Sequence, residues 1–317
     1  MAAASAARAL ARSKTRITAA DKAAFTEWFA GVEAVLLDCD GVIWRGATPI
    51  PGAAEAVEAL RTAGKRVVFV SNNSTKSRTT YVTKLRNICG IEAVVGDIMS
   101  SAFAAAKLLK SRKLEPAEGH DDVGVFVVGE GGLHEELRAL GFRTIGQDEG
   151  GGKPFDFAGF ELSQLDGGVR AVVQGFDTSF SYNKMALAAS YIRYRGAEYI
   201  ATNTDETFPA HGLLIPGGGS MVAALRTGCG VEPTVAGKPS PKLMELISDE
   251  LGVEPGRCVM VGDRLNTDIR FGNVTGARTA LVMTGVTTEE ELDGAHGDEA
   301  PDVVMPSLAV VAELLAR

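Results

Sequence analysis

Apolar residues in this chain fall into short continuous runs, separated by longer stretches in which they recur every third or fourth position. Runs rich in Val, Ile, Leu and Phe lie near 33–38, 66–71, 124–128, 170–175, 198–202, 257–262 and 279–283. Helical spacing covers 52–64, 75–88, 98–111, 131–140, 180–195, 218–228, 240–251 and 307–316. Ser240-Pro241 adds a helix-start signal ahead of Lys242. Strand-like runs alternating with helices predict parallel βαβ units.

Periodicity disappears at 112–124 and 146–168, where Gly, Asp and Pro cluster. These segments flank strands of the middle third, while apolar runs that end in carboxylates occur near both chain ends. The expected organisation is therefore an α/β core made of residues 1–96 and 235–317, with a separate α/β unit, 97–234, inserted into it. No internal repeat is evident.

With 317 residues and 45% hydrophobic content, the chain has room for about two domains and a sizeable core. The formal charge, 32 minus 40 or −8, comes with no basic stripe, which argues against nucleic acid and leaves small anionic substrates open. Cys39, Cys89, Cys229 and Cys258 are scattered, with no Cys-x-x-Cys pair and no histidine at zinc-ligand spacing. A reducing compartment fits that usage, and the Asn73-Ser74-Thr75 and Asn273-Val274-Thr275 triplets are read as accidental. No apolar run approaches the ~18 residues of a membrane span. Residues 1–20 hold Arg8, Arg12, Lys14 and Arg16 with many Ala and no acid. That composition suits an organelle transit peptide or a frayed, alanine-rich leader, and residues 1–17 are expected to be mobile.

Candidate chemistry begins where Val35-Leu36-Leu37 runs into Asp38-Cys39-Asp40-Gly41. A strand sends alternate side chains to one face, so Asp38 and Asp40 emerge together at a carboxyl end, where open α/β sheets bind ligands. Such a pair repels itself unless a cation is shared or one member stays protonated. A second run, Val67 to Val70, ends in Ser71-Asn72, offering a hydroxyl and amides at a turn into a helix; an ordinary helix cap is the alternative. Lys238 stands between Gly237 and the helix-opening Pro239-Ser240-Pro241, placed to present a point charge to a phosphoryl group or simply to solvent. A third run, Val259 to Gly262, ends in Asp263, with Asp268 five residues on. Together with Asp38 and Asp40 these acids suit a hard-oxygen Mg²⁺ site. Strand alternation turns Cys39 the other way, toward the core, which favours a structural cysteine over a redox switch.

Asp38-x-Asp40, Ser71, Lys238 and Gly262-Asp263 with Asp268 resemble, in this order, the four motifs of the haloacid dehalogenase-like phosphatase superfamily. The likeness covers nearly the whole chain. Asp38 to Trp44, Ser71 to Arg78, Ala201 to Asp205, Pro216 to Ser220 and Gly237 to Ser240 look like the phosphoglycolate phosphatase and 4-nitrophenylphosphatase branch. The wording at Ser100 to Phe103 and Gly217 to Met221 is closest to plant and algal members. The resemblance implies a Rossmann-like parallel-sheet core with a large inserted α/β cap domain. It implies Mg²⁺ held by Asp38, Asp263 and the main-chain carbonyl of Asp40, with Asp38 as nucleophile and Asp40 as general acid and base. Ser71, Asn72 and Lys238 would bind the substrate phosphate, with Asp268 in support. Its substrate would be 2-phosphoglycolate, with pyridoxal phosphate or a broad range of small esters as the alternative. The expected partner is then a small phosphorylated metabolite, a homodimer is left open, and the chloroplast stroma or the cytoplasm is the expected location. Arg264 and the Gly217 to Ser220 helix opening are candidates for a substrate carboxylate. Asn266 departs from the family pattern, which often has an aspartate there.

Other classes fit less well. A receiver-like signalling module also phosphorylates an aspartate beside Mg²⁺ and a lysine, but needs no inserted unit. Related phosphomutases usually carry a smaller helical cap, and dehalogenases lack the second aspartate. Gly129-Glu130-Gly131-Gly132 misses the dinucleotide spacing, and no P-loop or zinc His-Glu-x-x-His is present.

Overall fold

The computed structural model describes residues 14–147, 155–210 and 213–316. The chain divides into two compact units. The first comprises residues 1–71, 79–99 and 238–317, and the second comprises 72–78 and 100–237.

In the first unit a sheet of seven strands runs in the order Thr15–Arg16, Val303–Met305, Arg278–Val282, Cys258–Gly262, Ala34–Leu37, Arg66–Ser71, Ile98–Ser100. Pairings from Thr15–Arg16 across to Arg66–Ser71 are parallel. Ala34–Leu37 lies between Cys258–Gly262 and Arg66–Ser71, with Leu37 opposite both Val261 and Phe69. The chain builds outward from Ala34–Leu37 in one direction and then returns to build in the other, so the strand order reverses at this strand. Such a switch point opens a crevice beyond the carboxyl ends of the strands. All four residues of Ala34–Leu37 and all five of Cys258–Gly262 are buried, which is why they read as continuous apolar runs with no alternation. Helices Ala53–Thr62 and Ala309–Leu315 pack together beside this sheet, and Val57, Leu60, Phe69, Tyr81, Val310 and Leu314 join one apolar core.

The mobility expected of residues 1–17 does not hold for Thr15, Arg16 and Ile17. Thr15 and Arg16 pair with Val303 and Val304, the Ile17 amide donates to the Val304 carbonyl at 2.8 Å, and the Ile17 side chain is fully buried in the core. A single apolar residue in a basic stretch gave no periodic signal, yet the sheet edge supplied both backbone partners and a slot. Residues 1–13 of that expected leader lie outside the described residues.

The second unit has a five-stranded sheet in the order Thr234–Val235, Glu198–Ala201, Val169–Gln174, Gly124–Val128, Arg143–Ile145, with parallel pairings. Helices Tyr182–Arg195 and Gly218–Cys229 contribute Ala188, Tyr191, Leu225 and Cys229 to a core with Phe126, Val128 and Val172. The aperiodic segments on either side of this sheet are tied by Arg143, which reaches Asp122 at 2.9 Å and Asp166 at 2.7 Å. A buried Lys184–Asp177 pair at 2.8 Å fixes the turn before Tyr182–Arg195. An antiparallel hairpin, Thr207–Ala210 with Leu213–Pro216, was not anticipated. Within the described residues, no helix is long and apolar enough to cross a membrane.

Candidate active site

The carboxyl ends of three adjacent strands in the first unit deliver Asp38, Ser71 and Asp263 to one place, and the switch-point topology explains why. Asp38 is held there by its own amide, which donates to the Val261 carbonyl at 2.9 Å. Gly41 then turns the chain with φ +85°, and a Cβ at this position would strike the Asp263 carboxylate. Only glycine permits that approach at that φ.

Lys238 brings the later part of the chain into the same site. It is 2% exposed, and its Nζ donates to Asp38 Oδ1 at 2.5 Å, Asp268 Oδ1 at 2.7 Å and the Val70 carbonyl at 3.0 Å. Beyond Asp263, residues Leu265–Ile269 wind as a wide π-helical turn that returns Asp268 toward the strand end. Asp268 Oδ2 accepts the amides of Asp263 and Arg264 at 3.2 and 3.1 Å. Both oxygens of Asp268 are thus engaged in holding Lys238 and the strand end. Asp263 Oδ2 accepts the Val286 amide at 2.9 Å, while Thr287 caps the Asp263 carbonyl through its hydroxyl and its amide.

Electrostatically the site holds three buried carboxylates against the one ammonium of Lys238. Burial, reinforced by Asp268 and Asp263, lifts the Asp38 carboxyl well above the ordinary range despite Lys238. Burial and then Asp268 push Asp263 up to about 7. Burial draws Lys238 down, but the charges and hydrogen bonds of Asp268 and Asp38 outweigh it and hold the ammonium above its usual value. Carboxylate oxygens of Asp38, Asp263 and Asp268 lie within 4.8 Å of one another. A buried, oxygen-only donor set with more acid than base is suited to a hard divalent cation such as Mg²⁺. Asp38 and Asp263 are the residues that would hold it, since Asp268 is committed to Lys238 and two amides.

Asp40 sits just past the strand, where the indole Nε1 of Trp44 donates to its Oδ1 at 2.9 Å. Ser71 is buried, with Oγ 2.9 Å from the Tyr81 hydroxyl. Neither aromatic was assigned a role from the sequence, because each acts through a bond that only the fold creates. Cys39 is fully buried in the apolar core, and burial followed by its two acidic neighbours pushes its thiol well up, as befits an inert cysteine. Asn266 is exposed on the π-helical turn.

Asn72, next along the chain from Ser71, belongs to the second unit. Its Nδ2 donates to Asp205 Oδ1 at 2.9 Å, and its carbonyl accepts from Asn203 Nδ2 and Ser101 Oγ at 2.7 and 2.6 Å. Three of the four amides at the Gly217 to Ser220 helix opening, the candidate for a substrate carboxylate, are engaged by backbone carbonyls. Gly217, Gly219 and Ser220 donate to the carbonyls of Glu206, Asp205 and Gly217. The other end of the 72–78 strap is anchored by Arg78, whose Nε meets Glu136 at 3.0 Å.

A family model described as haloacid dehalogenase-like hydrolase matches residues 35–143, and a second HAD-hydrolase-like one matches residues 235–311. Phosphoglycolate phosphatase 2 of Arabidopsis thaliana is 40% identical over 92% of this chain and 96% of its own length. A 4-nitrophenylphosphatase of Schizosaccharomyces pombe is 38% identical over 91% and 96%. Among solved structures, a glycerol phosphate phosphatase from Mycobacterium tuberculosis in complex with magnesium superposes with a TM-score of 0.72. It is 32% identical, over 90% of this chain and 77% of that one.

Proposed function

Since the chain belongs to the haloacid dehalogenase-like hydrolases, as a phosphatase, we propose that it is a Mg²⁺-dependent enzyme whose substrate is 2-phosphoglycolate. The observation that carries the chemistry is the buried meeting of Asp38, Asp263 and Asp268 around Lys238 at the strand switch point. Lys238 and Ser71, with the amide of Asn72, hold the phosphoryl oxygens and align phosphorus with Asp38. Asp38 attacks, forming an aspartyl-phosphate as the bond to the leaving oxygen breaks, and Asp40 passes its proton to that oxygen. In the second step Asp40 takes a proton from water, the water oxygen bonds to phosphorus, and the Asp38–phosphate bond breaks. Asp268 keeps Lys238 in place throughout. Mg²⁺, when bound by Asp38, Asp263 and the Asp40 carbonyl, supplies the charge that offsets carboxylate and phosphate together.

The substrate assignment is supported by the relative named for phosphoglycolate, while other relatives are named for 4-nitrophenyl phosphate and glycerol phosphate. Location in the chloroplast stroma belongs to the same reading and is supported by the basic, acid-free composition of residues 1–13, which precede the edge strand Thr15–Arg16. The test is kcat/KM for 2-phosphoglycolate, glycerol phosphate, pyridoxal 5′-phosphate, a nucleoside monophosphate and 4-nitrophenyl phosphate, with Mg²⁺ and with chelator. Phosphoglycolate should lead by at least about tenfold, a gap of about 1.4 kcal/mol in transition-state binding, and chelation should abolish turnover. A lead by another ester reassigns the substrate. Undiminished turnover in chelator removes the metal from the mechanism.

A further inference from the structure

Two buried aromatic side chains of the first unit meet the chemical groups without being part of the reaction above. Trp44 is fully buried four residues after Asp40, and Tyr81, on helix Arg78–Cys89, is 2% exposed. Their rings stack at an interplanar angle of 27° with centroids 6.2 Å apart. Lys84 Nζ caps the Trp44 ring at 3.8 Å from the centroid. Each ring carries one polar atom, and each polar atom reaches a different functional side chain: Trp44 Nε1 to Asp40, and the Tyr81 hydroxyl to Ser71.

The direction of these bonds follows from their chemistry. An indole N–H only donates, so it occupies Asp40 Oδ1 and leaves Oδ2 as the oxygen to carry the transferred proton. The turn beneath is rigid, with the Gly41 amide donating to the Trp44 carbonyl at 2.7 Å and the Trp44 amide to the Cys39 carbonyl at 3.1 Å. The Ser71 and Tyr81 hydroxyls can each donate to the other; with a phosphoryl group bound, the Ser71 proton would go to that acceptor and Tyr81 would donate to Ser71. Burial raises the Tyr81 phenol well above its ordinary value, so it retains the proton it donates.

We propose that Trp44 and Tyr81 are a stacked pair of positioning residues, Trp44 orienting the general acid Asp40 and Tyr81 orienting the phosphate-binding Ser71. The inference rests on the roles given to Asp40 and Ser71 in the proposed function. It assigns two functional contacts to one rigid aromatic unit, and it separates them: loss of the indole N–H affects protonation of the leaving group, and loss of the phenol affects phosphate binding.

Trp44→Phe and Tyr81→Phe keep a ring in each place and remove one donor. Both variants are assayed with 4-nitrophenyl phosphate and glycerol phosphate on the same preparation, so the ratio of the two rates is independent of the folded fraction. Competitive inhibition by inorganic phosphate is read alongside. In Trp44→Phe, kcat for glycerol phosphate, whose alkoxide must be protonated, should fall about tenfold more than kcat for 4-nitrophenyl phosphate. In Tyr81→Phe, the phosphate inhibition constant should rise about three- to tenfold, and the ratio of the two rates should stay put. Equal slowing of both esters in Trp44→Phe, or an unchanged inhibition constant in Tyr81→Phe, overturns the pair. Asp40→Asn and Ser71→Ala separate this from failure of the premise. Asp40→Asn must show the same leaving-group bias in larger measure, and Ser71→Ala must weaken phosphate binding. If they do not, the roles of Asp40 and Ser71 fall, and the pair falls with them.

Discussion

Lys238 is the side chain on which the residues of the site depend most. It is a buried ammonium between two buried carboxylates, and removing it leaves both acids uncompensated in a low-dielectric place. Lys238→Met, which keeps the length of the stem, is expected to cost about 3–5 kcal/mol of stability at pH 8, as read from the urea midpoint without added metal. Asp38→Asn should behave in the opposite way. The amide oxygen can still accept from Lys238, so the fold should survive, while turnover falls by at least about a thousandfold because an amide is a poor nucleophile. Steady-state turnover near the parent rate in a purified Asp38→Asn variant would remove Asp38 from its role.

At the scale of elements, two short pieces matter more than their length suggests. The turn at Gly41 combines a positive φ with the close approach of Asp263. Gly41→Ala should cost upward of about 1–2 kcal/mol from the backbone alone and should also weaken Mg²⁺ binding, because the displaced group is a proposed ligand. Isothermal titration with Mg²⁺ and thermal melting report the two effects separately. The other piece is the edge strand Thr15–Arg16 and the buried Ile17 beside it. Ile17→Ala should lower stability by about 2–4 kcal/mol, seen in chemical denaturation; a change under about 0.5 kcal/mol would return this segment to the status of a leader.

For the molecule as a whole, the excess of buried acid links stability, pH and metal. Asp263 titrates at about 7 in the fold and near 3.8 when unfolded, so between those values the folded state binds more protons than the unfolded one. Stability from this group is therefore complete below about pH 4 and is lost as the pH rises through about 7. Asp38 shifts in the same direction and adds to the trend. Mg²⁺ bound as proposed by Asp38 and Asp263 would compete with those protons and favour the ionised, folded site. The stabilisation by Mg²⁺ should thus be large at pH 8 and small at pH 5, checked by melting temperature with and without the ion at both values. Equal shifts at the two pH values would mean that the ion binds away from these acids.

How much of this was legible in the chain follows from which forces are local. Strands such as Ala34–Leu37 and Cys258–Gly262 lie in parallel pairs buried on both faces, so their burial is written as unbroken apolar runs, and their carboxylate ends follow in the next residues. That made Asp38, Ser71, Lys238, Asp263 and Asp268 readable as candidates from residue type and order. The hairpin Thr207–Ala210 with Leu213–Pro216 was hidden by its prolines, which punctuate a sequence even where an edge strand tolerates them. Ile17 was hidden because one apolar residue has no period. What only the tertiary structure decided is which groups touch. Lys238 lies 200 residues from the carboxylate it meets, and the bonds from Trp44 and Tyr81 to Asp40 and Ser71 depend on ring orientation in a shared core. A sequence specifies faces and termini through short-range periodicity, whereas hydrogen-bond partners and the balance of buried charge are set by distances that exist once the strands are side by side.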